Sequence, residues 1–193
     1  MKKTLIVTAL AAAGLLYSFK SIEASSWSID KSHARLGFSI SHMMVSEVEG
    51  SFKKVDAKID APKEDFSDAV VELTAEAASV STDNEKRDEH LKGADFFDVT
   101  KFTTVTFKSK SFKKESENNY VVVGDLTMHG VTKSVTLNAV CKTGTNPMSK
   151  KAMAGFKITG KVKRSDFGIG GSMPTAILGE EVSILANAEF VKN

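Results

Sequence analysis

The chain has 193 residues, 26 of them basic and 24 acidic, with a formal net charge of +2. So even a balance argues against nucleic acid as a partner and against a polybasic membrane-surface module, both of which need clustered positive charge. Cys141 is the single cysteine, so no intramolecular disulfide can form, and the length suits one domain with a real core.

Lys2 and Lys3 precede an apolar stretch, Leu5 to Phe19, and small Ala24 follows it. That order reads as a secretory signal peptide over residues 1–24, too short for a membrane span. Ile22 at the −3 position leaves the cut site open by a few residues. Removing residues 1–24 takes away Lys2, Lys3, Lys20 and Glu23, leaving 23 basic and 23 acidic residues. A neutral mature domain, residues 25–193, is expected in the periplasm or secreted.

From there the dominant period is two. Leu36, Phe38 and Ile40 alternate with Gly37, Ser39 and Ser41; Tyr120, Val122, Gly124, Leu126 and Met128 form a second run. Val131, Val135, Leu137, Ala139 and Cys141 share a face, as do Phe156, Ile158, Gly160 and Val162, and then Val182, Ile184, Ala186, Ala188 and Phe190. Weaker alternation covers Val48–Ile59, Val70–Val80 and Thr103–Phe112. Such alternation marks strands with one apolar face. About eight strands joined by turns at Glu115–Asn119, His129-Gly130 and Thr143–Lys151 predict an antiparallel sandwich or barrel. An eight-stranded barrel is either filled by side chains or just wide enough for one ligand. Cys141, on an apolar face, reads as buried and inert.

Two segments break the period. Ser81, Thr82 or Asp83 can cap a short helix from about Asn84 to Lys92, with Gly93 placed to end it. A helix this short must lie on something, here an open end of the barrel. Phe96 and Phe97 follow it. Ser165 to Glu181, with four glycines and Pro174, is an irregular stretch of the kind that carries function.

The inward candidates are Phe38, Ile40, Phe52, Leu73, Val105, Phe107, Leu126, Met128, Leu137, Phe156, Ile158 and Ile184. Periodicity leaves a solid core and a lined cavity equally open. His33, His42, His90 and His129 are spread too widely for a zinc motif, so no metal or other cofactor is expected. Arg87 and His90, three apart on the helix, share a face, whereas Asp88 and Glu89 do not form a paired-carboxylate site. Ser172 in Gly-Gly-Ser-Met-Pro lacks the glycine of a nucleophile elbow, and Gly168-Ile-Gly-Gly171 opens no helix.

Several blocks together resemble the YceI family of periplasmic, lipocalin-like proteins, often described as polyisoprenoid-binding. They are Trp27-Ser-Ile-Asp30-Lys-Ser-His33 with Phe38 and His42; Gly50-Ser-Phe52; Ser79 through Lys92 running into Asp95-Phe96-Phe97-Asp98; Gly124-Asp-Leu126-Thr-Met-His129-Gly130-Val-Thr132-Lys; and Lys163-Arg164-Ser165-Asp166-Phe167-Gly168. Ala34 and Thr103 depart from the usual Ser and Pro. The resemblance implies an all-β, eight-stranded antiparallel lipocalin-like barrel whose tunnel holds a polyisoprenoid, a quinone-type isoprenoid or a fatty-acyl chain. The inward residues above, with Phe96 and Phe97, would line that tunnel. His42, Arg87, His90, His129 and Arg164 would supply polar contacts at its opening. A binding or carrier protein, not an enzyme, is the expectation; the alternative is a lipid hydrolase or isomerase using His33, His42, His90 and Arg87. A homodimer and a membrane redox partner remain open as assemblies.

Overall fold

The computed structural model describes residues 24–193; the expected leader, Ala24 apart, lies outside the described residues. The strands are β1 (Ser25–His42), β2 (Ser46–Phe52), β3 (Val55–Ala61), β4 (Val70–Glu76) and β5 (Val80–Ser81), followed by helix α1 (Glu85–Lys92). After it come β6 (Thr104–Lys114), β7 (Asn119–Met128), β8 (Val131–Thr145), β9 (Ala152–Lys163) and β10 (Leu178–Lys192). Eight strands close an antiparallel barrel: from β10 through β9, β8, β7, β6, β4 and β3 to β1, which pairs back with β10.

β1 is 18 residues long and works at both ends of the barrel. Ser25–Ser28 pairs with β3, and Leu36–His42 pairs with β2, which carries the two-residue β5 at its edge. Between these halves the pairing with β10 jumps from Asp30↔Glu189 to Ala34↔Ala188, so Lys31, Ser32 and His33 bulge out of the ladder. A bulge of this kind bends a strand and lets it serve two partners.

The barrel interior divides into two halves. The lower half is solid: Trp27, Phe66, Phe112, Tyr120, Phe156 and Phe190 are buried together. Their rings meet edge to face, Phe66 and Phe156 with centroids 5.3 Å apart and Phe156 and Phe190 5.7 Å apart. The loop after β3 closes this end with Phe66, anchored by the Tyr120 hydroxyl donating to the Asp65 carbonyl at 2.7 Å. Cys141 lies here, and burial pushes its thiol up to about 11, so the inert reading fits its surroundings. The upper half gathers Phe52, Phe96, Phe97, Val105, Leu126 and Phe167 around open space.

Three local expectations shift. The helix starts at Glu85, and its cap is Asn84, whose Oδ1 accepts from the Arg87 N–H at 3.1 Å; Ser81, Thr82 and Asp83 do not cap it. The Thr82 hydroxyl is already committed to Asp88 and Arg87. Gly93 ends the helix, but with φ −68° instead of a left-handed turn, because the following loop folds back to bond the last carbonyls from Phe97, Asp98 and Val99. The irregular stretch after Ser165 gives way to β10 already at Leu178. His129-Gly130 is the expected hairpin turn, both residues at positive φ, 50° and 73°. No helix among the described residues is long and apolar enough to cross a membrane.

Candidate functional site, an apolar cavity in the upper barrel

Alternation sends every second side chain inward, but three inward positions carry no side chain. At Gly50 an added methyl group would overlap the Phe38 ring, at Gly124 the Phe107 ring, and at Gly160 the Leu137 side chain. These glycines let their large neighbours lie flat against the wall instead of crossing the lumen. In the upper half the result is a cavity of about 320 Å³.

Of the residues expected to line a tunnel, Phe38, Ile40, Phe52, Phe96, Phe97, Val105, Leu126, Met128 and Ile184 face this cavity. Leu73, Phe107, Leu137, Phe156 and Ile158 do not. They belong to the lower cluster or pack against it, because below Ile184 the facing side chains meet across the barrel. The structure adds walls that the sequence reading did not name: Leu36, Val48, Leu91, Val162, Ile169, Met173, Leu178 and Val182. Leu36, Val162 and Val182 shared a named apolar face; Ile169 and Met173 sit in the irregular loop, where no periodicity signals them.

The polar candidates separate into two groups. His42, Arg87 and His90 line the cavity, and Arg87 and His90 are exposed, marking where it meets solvent. Arg87 is held by Thr82: its Nε donates to Thr82 Oγ1 at 2.7 Å and its Nη2 to the Thr82 carbonyl at 2.9 Å. Asp88 accepts from both the Thr82 N–H and its hydroxyl, at 2.7 and 2.6 Å. Burial by itself would raise the Asp88 carboxyl, but these Thr82 bonds outweigh it and keep the group below its ordinary value. Two of Arg87's five donors are thereby used, and the other three have no partner among the described residues. The His90 ring packs edge-on against Phe96, with centroids 4.8 Å apart.

Arg164 and His129 serve the scaffold. Arg164 is 4% exposed and gives all five N–H groups to backbone carbonyls: Gly179, Ile169, Gly170, Met173 and Leu178. It borders the cavity but has no donor left for a ligand, since its whole fork is spent tying the loop before β10 and the first residues of β10 to the barrel. His129 does not reach the cavity; its Nδ1 donates to the Phe167 carbonyl at 3.0 Å and its ring packs on Phe102.

His33 stands apart as well. It sits on the β1 bulge, Nδ1 2.9 Å from Asp30 Oδ2 and 3.9 Å from Glu189 Oε2, so the four-residue cluster of the enzyme alternative is not assembled. Asp30, His33 and Glu189 bring potential metal donors within 4.8 Å of one another, on the outer face of the barrel.

Comparison with known proteins agrees with this architecture. Residues 27–190 match the YceI-like domain family. A UPF0312 protein of Staphylococcus aureus is 37% identical over 174 residues, covering 86% of this chain and 97% of that protein. The YCEI protein of Campylobacter jejuni is 32% identical, with a TM-score of 0.73 over 79% of this chain and 90% of its own. A polyisoprenoid binding domain from Saccharophagus degradans, only 14% identical, shares the fold with a TM-score of 0.62 over 86% of this chain and 98% of that domain. The barrel, its sequence blocks and these matches converge, and the chain belongs to the YceI family.

Proposed function

We propose that this protein binds or carries a long-chain apolar ligand, an isoprenoid, a quinone-type tail or a fatty-acyl chain, in the upper cavity. The observation that carries this reading is a cavity of about 320 Å³ in the upper barrel, walled almost wholly by aliphatic and aromatic side chains. Each methylene moved from water into such a wall contributes roughly 0.8 kcal/mol, so about ten carbons supply ~8 kcal/mol before the cost of immobilising the chain. The polar end of the ligand would rest at the rim, against the spare donors of Arg87 and the rings of His42 and His90. The N-terminal leader pattern supports action outside the cytoplasm, in the periplasm or secreted.

The test is mass spectrometry of an organic extract from protein produced with its own leader and purified after maturation. A stoichiometric isoprenoid, quinone or acyl species is the expected result, and N-terminal sequencing of the same sample locates the cut near Ala24. An empty extract, from a protein that also takes up no long-chain lipid added to it, would overturn the reading.

A further inference from the structure

At the rim of the cavity the β1–β2 hairpin turns through His42, Met43, Met44 and Val45, closed by the Val45 N–H donating to the His42 carbonyl at 3.2 Å. Both central residues are left-handed, Met43 at φ 51° and Met44 at φ 58°. A turn with positive φ at both centres is ordinarily made by Asn-Gly or Asp-Gly, which adopt it with little strain. Here two methionines occupy it and hold their apolar side chains outward: Met43 is 54% exposed, Met44 76% and Val45 86%. A local rule broken in both conformation and polarity points to function.

The turn does not project at random. His42, its first residue, lines the cavity, and the Met43 N–H donates at 2.9 Å to the carbonyl of Ile177, itself an exposed apolar residue beside the cavity-lining Leu178. Apolar side chains therefore lie from Ile40 and Leu178 at the cavity through Ile177 to the tip, with His42 beside them at the rim.

We infer that Met43, Met44 and Val45 form a finger that inserts into a lipid bilayer surface, so that the cavity's ligand passes between membrane and barrel along this apolar path. The inference rests on the carrier reading above. Three side chains on a narrow convex tip fall far short of the roughly 800 Å² per partner that a specific protein interface buries. A bilayer needs no shape complementarity, and unbranched Met adapts to it. The even charge of residues 25–193, 23 basic against 23 acidic once Lys2, Lys3, Lys20 and Glu23 are set aside, supplies no electrostatic anchor. A zwitterionic surface should therefore suffice.

The experiment compares the mature protein with the triple variant Met43→Asn, Met44→Gly, Val45→Ser, which gives the turn residues suited to its backbone. Vesicles of phosphatidylcholine carry a pyrene-labelled hexadecanoic acid, and its transfer to protein is followed by stopped flow, beside flotation of the protein with the vesicles. The wild type is expected to float, and its transfer rate to rise with vesicle concentration. The variant should melt at the same temperature or higher and take up the free probe at equilibrium as before. Its transfer should be at least tenfold slower and independent of vesicle concentration. Equal flotation and transfer by both proteins, or a wild-type rate indifferent to vesicle concentration, would overturn the inference. Failure of both proteins to take up free probe would instead strike the carrier reading, while flotation lost only in the variant would still sustain the docking finger.

Discussion

Arg164 shows how one side chain can hold a lid in place. A buried guanidinium is tolerable only when its donors are all met, and here three carbonyls of the loop before β10 and two at the start of β10 meet them. Arg164→Ala would orphan those carbonyls together, with an expected loss of about 3–5 kcal/mol in urea unfolding. Arg164→Lys should recover little, because a point ammonium cannot replace a five-donor fork. His33 is a different case, exposed and paired. Its hydrogen bond to Asp30 raises its pKa above the ordinary 6.5, while bonds from Ser32 and then His33 hold Asp30 down at about 2. The His33 contribution to stability is complete below 6.5 and fades as pH rises through its raised value. That of Asp30 is complete above 3.8 and fades as pH falls towards about 2. The pair thus acts fully between those limits. An NMR titration of the His33 ring should give a midpoint above 6.5, and Asp30→Asn should bring it back down; an unchanged midpoint in the variant would refute the pairing.

Within single strands, glycine placement sets the bore of the barrel. Gly50 and Gly124 both face large rings, but their surroundings differ. The atoms nearest a methyl group at Gly50 all belong to the far end of the Phe38 side chain, whereas at Gly124 the backbone carbonyl of Lys108 is among the nearest. Gly50→Ala should therefore swing Phe38 into the cavity and weaken long-chain lipid uptake at least tenfold, with a modest stability loss of about 1 kcal/mol. Gly124→Ala should cost more, about 2–3 kcal/mol, since a strand carbonyl cannot step aside as a ring does. Parallel lipid titrations and unfolding curves on the two variants separate these outcomes. The β1 bulge belongs to the same scale: by looping out Lys31–His33 it lets one strand close the barrel against β3 below and extend it with β2 above.

Across the whole molecule, a ligand held as proposed in the upper half should couple stability to occupancy, because the lower half is packed by side chains and the upper half lines the cavity. The aromatic cluster around Phe156 packs the lower half with side chains, while the upper walls line the cavity. A ligand that binds only the folded state adds about 2.7 kcal/mol when present at 100 times its Kd. The melting temperature should accordingly climb with the concentration of a long-chain lipid. It should not climb with a short, polar analogue that cannot reach the walls.

The amino-acid sequence by itself determined the strongly alternating strands and the short helix, because hydrophobic period is a local property of the backbone; the weaker runs Val48–Ile59 and Val70–Val80 each break in the structure, into β2 and β3 and into β4 and β5. Alternation located β1, β7, β8, β9 and β10, and the break at Asn84–Lys92 located α1. It also separated inward from outward positions well enough to name Phe38, Ile40 and Leu126 as inward, while the expectation that they wall a cavity came from the resemblance to the YceI family. Only the tertiary structure decided where the lumen is open. Phe156 and Phe38 are both inward aromatics in alternating strands, yet one meets the Phe112 ring from across the barrel and the other lies against Gly50. The same limit applies to the polar residues. His129 bonds a carbonyl 38 residues away and Arg164 one 15 residues away, while Arg87 keeps donors free at the rim. A residue's type and period fix which way it points; what it meets there depends on strands distant in sequence, and that is settled only when the barrel closes.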